Sequence, residues 1–219
     1  MEQNNPLFGK KVSFNGDSIC QGAGKKGGYG LIIATRNQMA YENIGIGGGS
    51  VTAELYYQSG KPRHWISRTI ENMAEDADYA ILEGGVNEAS LQVPIGTLTE
   101  GYEAELDDTT FAGAFESMCK QVIYRFAGKK YGYIFVHKMT PTFCSDDKVY
   151  GYYAVAKAAL EKWGVPYCDL NISCPPFGLL PADDPLRLRF TKDGDGWHPN
   201  EEGYLKYYCD PIESWMKNL

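Results

Sequence analysis

The chain has 219 residues, 43% hydrophobic and 22% charged, values of a globular protein long enough to bury the core of one α/β domain spanning residues 1–219. Its formal net charge of −7 excludes the basic stripe that phosphate neutralisation requires, since only short pairs such as Lys25-Lys26 and Lys129-Lys130 interrupt the acidic balance. Neither nucleic acid nor an anionic membrane is an expected partner, and no stretch approaches the roughly 18 apolar residues of a membrane span.

The polar start, Met1 to Pro6, carries no apolar signal region. Cys20, Cys119, Cys144, Cys168, Cys174 and Cys209 are scattered without a Cys-x-x-Cys pair and read as buried small hydrophobes of a reduced protein. A cytoplasmic location is expected, the alternative being a secreted protein whose signal has been removed. Lys11 to Asn15 reads as a buried first strand, followed by a glycine-rich loop and a helix near Tyr29 to Met39. Tyr41 to Ile46 reads as a second strand ending in three glycines, His64 to Met73 as a helix and Tyr79 to Leu82 as a third strand. Phe111, Phe115, Met118, Val122 and Phe126 recur at helical spacing, with Asp108 or Thr109 as the expected cap. Tyr131 to Val136 is the fourth strand. The next helix has Tyr153, Ala156, Leu160 and Trp163 on its apolar face and Gly164 at its end. Val165 to Leu170 is the fifth strand. A last helix starts after its cap, Asn200, with Leu205, Tyr208, Ile212 and Trp215 as its inner stripe.

Strands alternating with helices predict a five-stranded parallel sheet covered on both faces, a three-layer α/β/α sandwich. Ligands of such sheets sit beyond the carboxyl ends of the strands. That edge receives the loops after strands one, two and three, the segment before the last helix, and two long loops, Glu88 to Asp107 and Cys174 to Lys192.

Four features on that edge carry chemistry. Ser18, in Gly16-Asp17-Ser18-Ile19, stands just past the first strand, where a hydroxyl is either a helix cap boxed with Gln21 or a nucleophile awaiting a base. Of the three histidines, His64 opens a predicted helix and His137 ends a strand, whereas His198 directly precedes the last helix. Asp195, three residues earlier, is placed either to close a polar turn or to hold the imidazole tautomer. Gly47-Gly48-Gly49 permits close approach of a backbone N–H to a substrate, and Asn87 offers an amide donor. Taken singly, each has an ordinary structural alternative, and it is their order that is informative.

Gly-Asp-Ser, a Gly-Gly turn, Gly-x-Asn and Asp-x-x-His in succession resemble the SGNH, or GDSL-type, hydrolase family from about Lys11 to Tyr208. The stretch from Asp195 to Tyr204 is the most specific part. The resemblance implies a flavodoxin-like fold and a metal-independent, cofactor-free serine esterase. Ser18, His198 and Asp195 would form the catalytic triad. Ser18 and Gly48 backbone N–H groups and the Asn87 side chain would form the oxyanion hole, with Gly47 or Gly49 as alternatives to Gly48. The chain departs from the family's usual Gly-Thr-Asn-Asp in reading Gly85-Val86-Asn87-Glu88.

A small-molecule ester is the implied substrate. Short acyl groups such as acetyl, on carbohydrate or small alcohols, are expected. Leu91, Val93, Pro94, Ile95 and Leu98, with Phe177, Leu179 and Leu180, offer a small apolar pocket, interrupted by Glu88, Gln92, Glu100, Asp183, Asp184 and Arg187. The alternatives are a lipase or lysophospholipase, an acyltransferase on the same triad, or a non-catalytic carbohydrate-binding module. A dinucleotide site at Gly22-Ala23-Gly24-Lys25-Lys26-Gly27 is a weaker rival, because no acidic residue follows at the end of strand two. The α/β-hydrolase elbow is excluded by Cys20 in its final glycine position, and no His/Cys cluster has zinc spacing.

Overall fold

A computed structural model describes residues 5–136, 146–174, 180–181 and 183–219. His137, Cys144, Phe177 and Leu179 lie outside the described residues. Five parallel strands, β1 (Lys11–Asn15), β2 (Ala40–Asn43), β3 (Tyr79–Glu83), β4 (Lys130–Phe135) and β5 (Tyr167–Asp169), form one sheet in the order β2-β1-β3-β4-β5. Side chains alternate across it with period two. Val12, Phe14, Tyr79, Ile81 and Ile134 join the core on one face, while Ala80, Leu82, Tyr133 and Phe135 join the core on the other. The first core is closed by α2 (Gly28–Arg36) and by the last helical segment, through Tyr29, Ile33, Tyr204, Tyr208 and Ile212. The second is closed by α3 (Ile66–Thr69), α5 (Phe111–Arg125) and α6 (Asp146–Trp163). The result is the expected α/β/α sandwich, and five free cysteines among the described residues are buried in it.

Several elements differ from the sequence reading. The second strand stops at Asn43, because Ile44 to Gly49 turns across the sheet edge, Ile46 N–H donating to Gly16 O. The fifth strand is three residues long, because Asp169 caps a short helix α7 (Leu170–Ser173) through a 2.9 Å bond from Asn171 N–H. Thr110, not Asp108 or Thr109, caps α5 by accepting from Gly113 N–H at 3.2 Å. Thr109 donates to Asp107 instead, and Asp108 pairs with Arg68. The loop after β3 is helical from the start, as α4 (Val86–Leu91). The segment from Cys174 to Lys192 contains α8 (Pro185–Arg189), capped by Asp184.

The final helix is continuous but changes its winding partway. After Asn200 caps α9 (Glu201–Gly203), a π-helical turn covers Tyr204–Tyr208 before α10 (Cys209–Met216). Pro211 has no N–H for the Tyr207 carbonyl four residues back, and that carbonyl accepts from Cys174 Sγ instead. The wider turn moves the inner stripe to Tyr204, Tyr208, Ile212 and Met216, and leaves Leu205 39% exposed.

Candidate active site

The chain runs from β1 outward to β2 and then returns past β1 to β3, so the topological switch point lies between the carboxyl ends of β1 and β3. Ser18 follows one strand and Asn87 the other. Asp17 ends the extended backbone of β1 and caps α1 (Ser18–Gln21) by accepting from Ile19 N–H at 2.9 Å. Ser18 is therefore the first residue of this helix and not its cap. Its Oγ is free to bond outside the helix, and it lies 2.9 Å from His198 Nε2.

His198 is set by the turn before α9. One Asp195 oxygen accepts from the N–H groups of Trp197 and His198, at 2.8 and 2.9 Å, and the other lies 2.7 Å from His198 Nδ1. One Asp195 side chain thus both closes the turn and faces the imidazole. Burial raises the Asp195 pKa, but the Trp197 N–H and the His198 side chain outweigh it and hold the carboxyl below its ordinary range. The turn is braced from beneath by Arg187. This buried cation donates to Gly196 O at 2.6 Å and Leu180 O at 2.7 Å and packs against the Trp197 ring. The sequence places Arg187 in the substrate pocket; it is instead buried, with Nε and Nη1 donating to carbonyls while Nη2 has no hydrogen-bond partner among the described residues. Glu88 likewise turns inward, accepting from Thr52 N–H at 2.9 Å, and burial pushes its pKa up to about 7. His64 is drawn into a bond with Asn15 Oδ1 at 2.8 Å, and burial lowers its pKa.

The glycine turn after β2 approaches Ser18 closely, since a Cβ built on Gly47 would stand 3.7 Å from Ser18 Cβ. Its polar groups are accounted for one by one. Gly47 N–H donates to Gln21 Oε1 and Gly47 O accepts from Tyr57 Oη. Gly48 O accepts from Arg63 Nη1, Gly49 N–H donates to Ile46 O, and Gly49 O accepts from Asn87 Nδ2. The Gly48 N–H has no acceptor among the described residues, and neither has the Ser18 N–H. Two unused backbone donors thus remain on the ligand edge. Asn87 differs, because its Nδ2 is engaged twice, with Gly49 O at 2.8 Å and with Asp17 Oδ2 at 3.3 Å. Asp17, Ser18, Ile19, Val86, Asn87, Ser90, Trp197 and His198 line a cavity of about 230 Å³.

Sequence reasoning missed the acids behind the serine. Glu83 ends β3 fully buried, and its Oε2 accepts from the N–H groups of Asp17 and Cys20, each at 3.2 Å. Burial, and then the neighbouring Asp17 charge, hold its carboxyl protonated well above the usual range. Asp17 is raised by burial to about 6, opposed by the Ile19 N–H and the attraction of His198. A charged residue closing the otherwise apolar run Tyr79 to Leu82 was the available signal. Gly22 to Gly27, the rival dinucleotide motif, packs against the His198 turn instead. A Cβ on Gly24 would stand 2.1 Å from Pro199 O, and Lys25 pairs with Glu201 at 2.8 Å.

Residues 14–206 match the GDSL-like Lipase/Acylhydrolase family. The chain belongs to this family. It is accordingly an ester hydrolase of the GDSL, or SGNH, type. Similar folds include a protein from Lactobacillus plantarum, with a TM-score of 0.77 at 20% identity over 97% of this chain and 98% of that one. The lipase/acylhydrolase from Enterococcus faecalis has a TM-score of 0.59 at 18% identity, covering 95% and 96% of the two chains. The psychrotrophic esterase EstA from Pseudoalteromonas sp. has a TM-score of 0.64 at 11% identity, covering 95% and 97%. No curated protein matches the sequence. Among the described residues of this GDSL-family chain, no helix is long and apolar enough to cross a membrane.

Proposed function

We propose that the protein is a serine esterase that works through an acyl-enzyme and prefers short acyl groups such as acetyl. The observation that supports it most directly is the relay from Ser18 Oγ to His198 Nε2 at 2.9 Å and from His198 Nδ1 to Asp195 at 2.7 Å. His198 takes the hydroxyl proton as Ser18 Oγ attacks the ester carbonyl. Asp195 stabilises the imidazolium, and the negative Asp17 carboxylate adds to that stabilisation. The oxyanion is received by the unused N–H groups of Ser18 and Gly48. Asn87 joins them by giving up its longer 3.3 Å bond to Asp17, which makes its donation specific to the charged transition state. His198 returns the proton to the leaving alcohol, and water clears the acyl group by the same steps.

The preference for short acyl groups rests on space. The cavity beside Ser18, about 230 Å³, is smaller than the roughly 300–1,000 Å³ of sites for drug-sized ligands. Val93 is fully committed to the protein interior, and Ile95 and Leu98 pack partly buried against the second core, so they do not extend the cavity into an acyl channel. The alcohol moiety, a carbohydrate or small alcohol, would face the open rim. A chain-length series of aryl esters, run beside acetylated sugars, tests this. Rates highest for acetyl and falling with chain length are expected; rates climbing steadily to decanoyl would refute it and indicate a lipase. Fluorophosphonate labelling of the wild type, absent in Ser18→Ala, tests the nucleophile.

A further inference from the structure

The glycine turn is held by a tyrosine that the proposed mechanism leaves unused. Tyr57 and Arg63 lie on an excursion between β2 and α3 that folds back on itself, Tyr57 N–H donating to Lys61 O and Arg63 N–H to Leu55 O, both at 2.9 Å. Trp65 Nε1 ties the same segment to Leu55 O at 2.9 Å. Its outcome is specific. Tyr57 Oη donates to Gly47 O at 2.8 Å, and Arg63 Nη1 donates to Gly48 O at 3.0 Å. The Arg63 guanidinium lies over the Tyr57 ring at 4.4 Å. Among the described residues Arg63 forms no ion pair with a carboxylate.

Gly47 O and Gly48 N–H are the two ends of one peptide group. We infer that Tyr57 is a positioning residue for ester hydrolysis, fixing and polarising the Gly47–Gly48 peptide so that its free N–H is aimed at the oxyanion, with Arg63 stacked behind it. A hydrogen bond received at an amide carbonyl polarises the amide and strengthens donation from its N–H. A cation over the phenol ring draws on the electron density of its π face. The arrangement also accounts for glycine at 48. Its φ is +75°, and a Cβ there would stand 2.5 Å from Tyr57 Oη, so the tyrosine hydroxyl occupies the space a side chain would need.

The inference rests on the oxyanion role proposed for Gly48, and the experiment separates the two. Full-length Tyr57→Phe, Arg63→Met, Ser18→Ala and wild type are compared on p-nitrophenyl acetate, with thermal melting to confirm folding. Loss of one oxyanion donor typically costs about 10²–10³-fold in kcat, so weakening one is expected to cost Tyr57→Phe about tenfold. KM should stay within about twofold, and the rate of fluorophosphonate labelling should fall by the same factor as kcat. The acid limb of the kcat/KM profile should be unchanged, because the His198–Asp195 pair is untouched. Arg63→Met, which keeps the hydroxyl, should show a smaller loss in the same parameter. Turnover within about twofold of wild type in both variants, with Ser18→Ala inactive, overturns the inference while leaving the serine mechanism standing. A loss confined to KM overturns it too, since that would make Tyr57 a substrate contact. Turnover by Ser18→Ala would refute the underlying mechanism itself.

Discussion

Glu88 stands where the family usually has aspartate, and its burial sets a measurable cost. The carboxyl is fully buried, accepts from Thr52 N–H through one oxygen, and has no partner for the other among the described residues. Burial raises its pKa from 4.5 to about 7, with the Asp17 charge adding to the rise. Between those values the folded protein keeps a proton that the unfolded chain has released, so stability falls as pH rises. At about 1.4 kcal/mol per pH unit, the loss amounts to about 3 kcal/mol, complete by about pH 8. Glu88→Gln keeps an acceptor for Thr52 and cannot ionise. Near pH 4, where Glu88 is protonated in both states, the variant should match the wild type. At pH 8 it should be more stable by about 3 kcal/mol, or about 6–12 °C in Tm for a chain of this size. Urea unfolding at pH 4, 5, 6, 7 and 8, compared at equal m values, measures the difference directly and cancels the titration of other groups. Parallel stability profiles, or a wild type that gains on the variant as pH rises, would refute the argument and show that water or a cation solvates this carboxylate.

Four further outcomes are expected. Asn87→Ala should lower kcat about 10²–10³-fold in steady-state assays, and a loss below about threefold would mean that its bonds to Gly49 and Asp17 are its whole role. Asp195→Asn should keep both turn bonds through Oδ1 and remain folded by circular dichroism, yet lose up to about 10⁴-fold in kcat because the imidazolium loses its partner. In the wild type Asp195 is held below its ordinary pKa. Its contribution to stability is therefore present above about pH 4 and fades only as pH falls through the lowered value, which acid titration followed by fluorescence checks. Gly24→Ala drives a methyl toward Pro199 O, at 2.1 Å before relaxation. It should cost about 1–3 kcal/mol of stability and, by displacing the His198 turn, reduce kcat more than KM.

The chain by itself was enough to determine the sheet, because five apolar runs separated by helical stripes have few ways to bury both faces. It also placed Ser18, Gly48, Asn87, Asp195 and His198 on one edge, since these residues follow strand ends or precede a helix, and local order conveys such positions. Only the tertiary structure decided which of several chemically equivalent groups is free to act. Three adjacent glycines are alike in sequence, but Gln21, Ile46, Tyr57, Arg63 and Asn87 occupy every polar group of the turn except the Gly48 N–H. Arg187 and Glu88 looked like pocket residues because a charge is normally solvated. The carbonyls of Leu180 and Gly196, which the surrounding loop folds around Arg187, and the amide of Thr52, 36 residues from Glu88, turned them inward. The missed Glu83 has the same cause, as its partners Asp17 and Cys20 lie more than sixty residues away in the chain. Period and capping are short-range properties that a sequence displays. The satisfaction of a buried polar group is settled by whatever the fold brings to within about 3 Å of it.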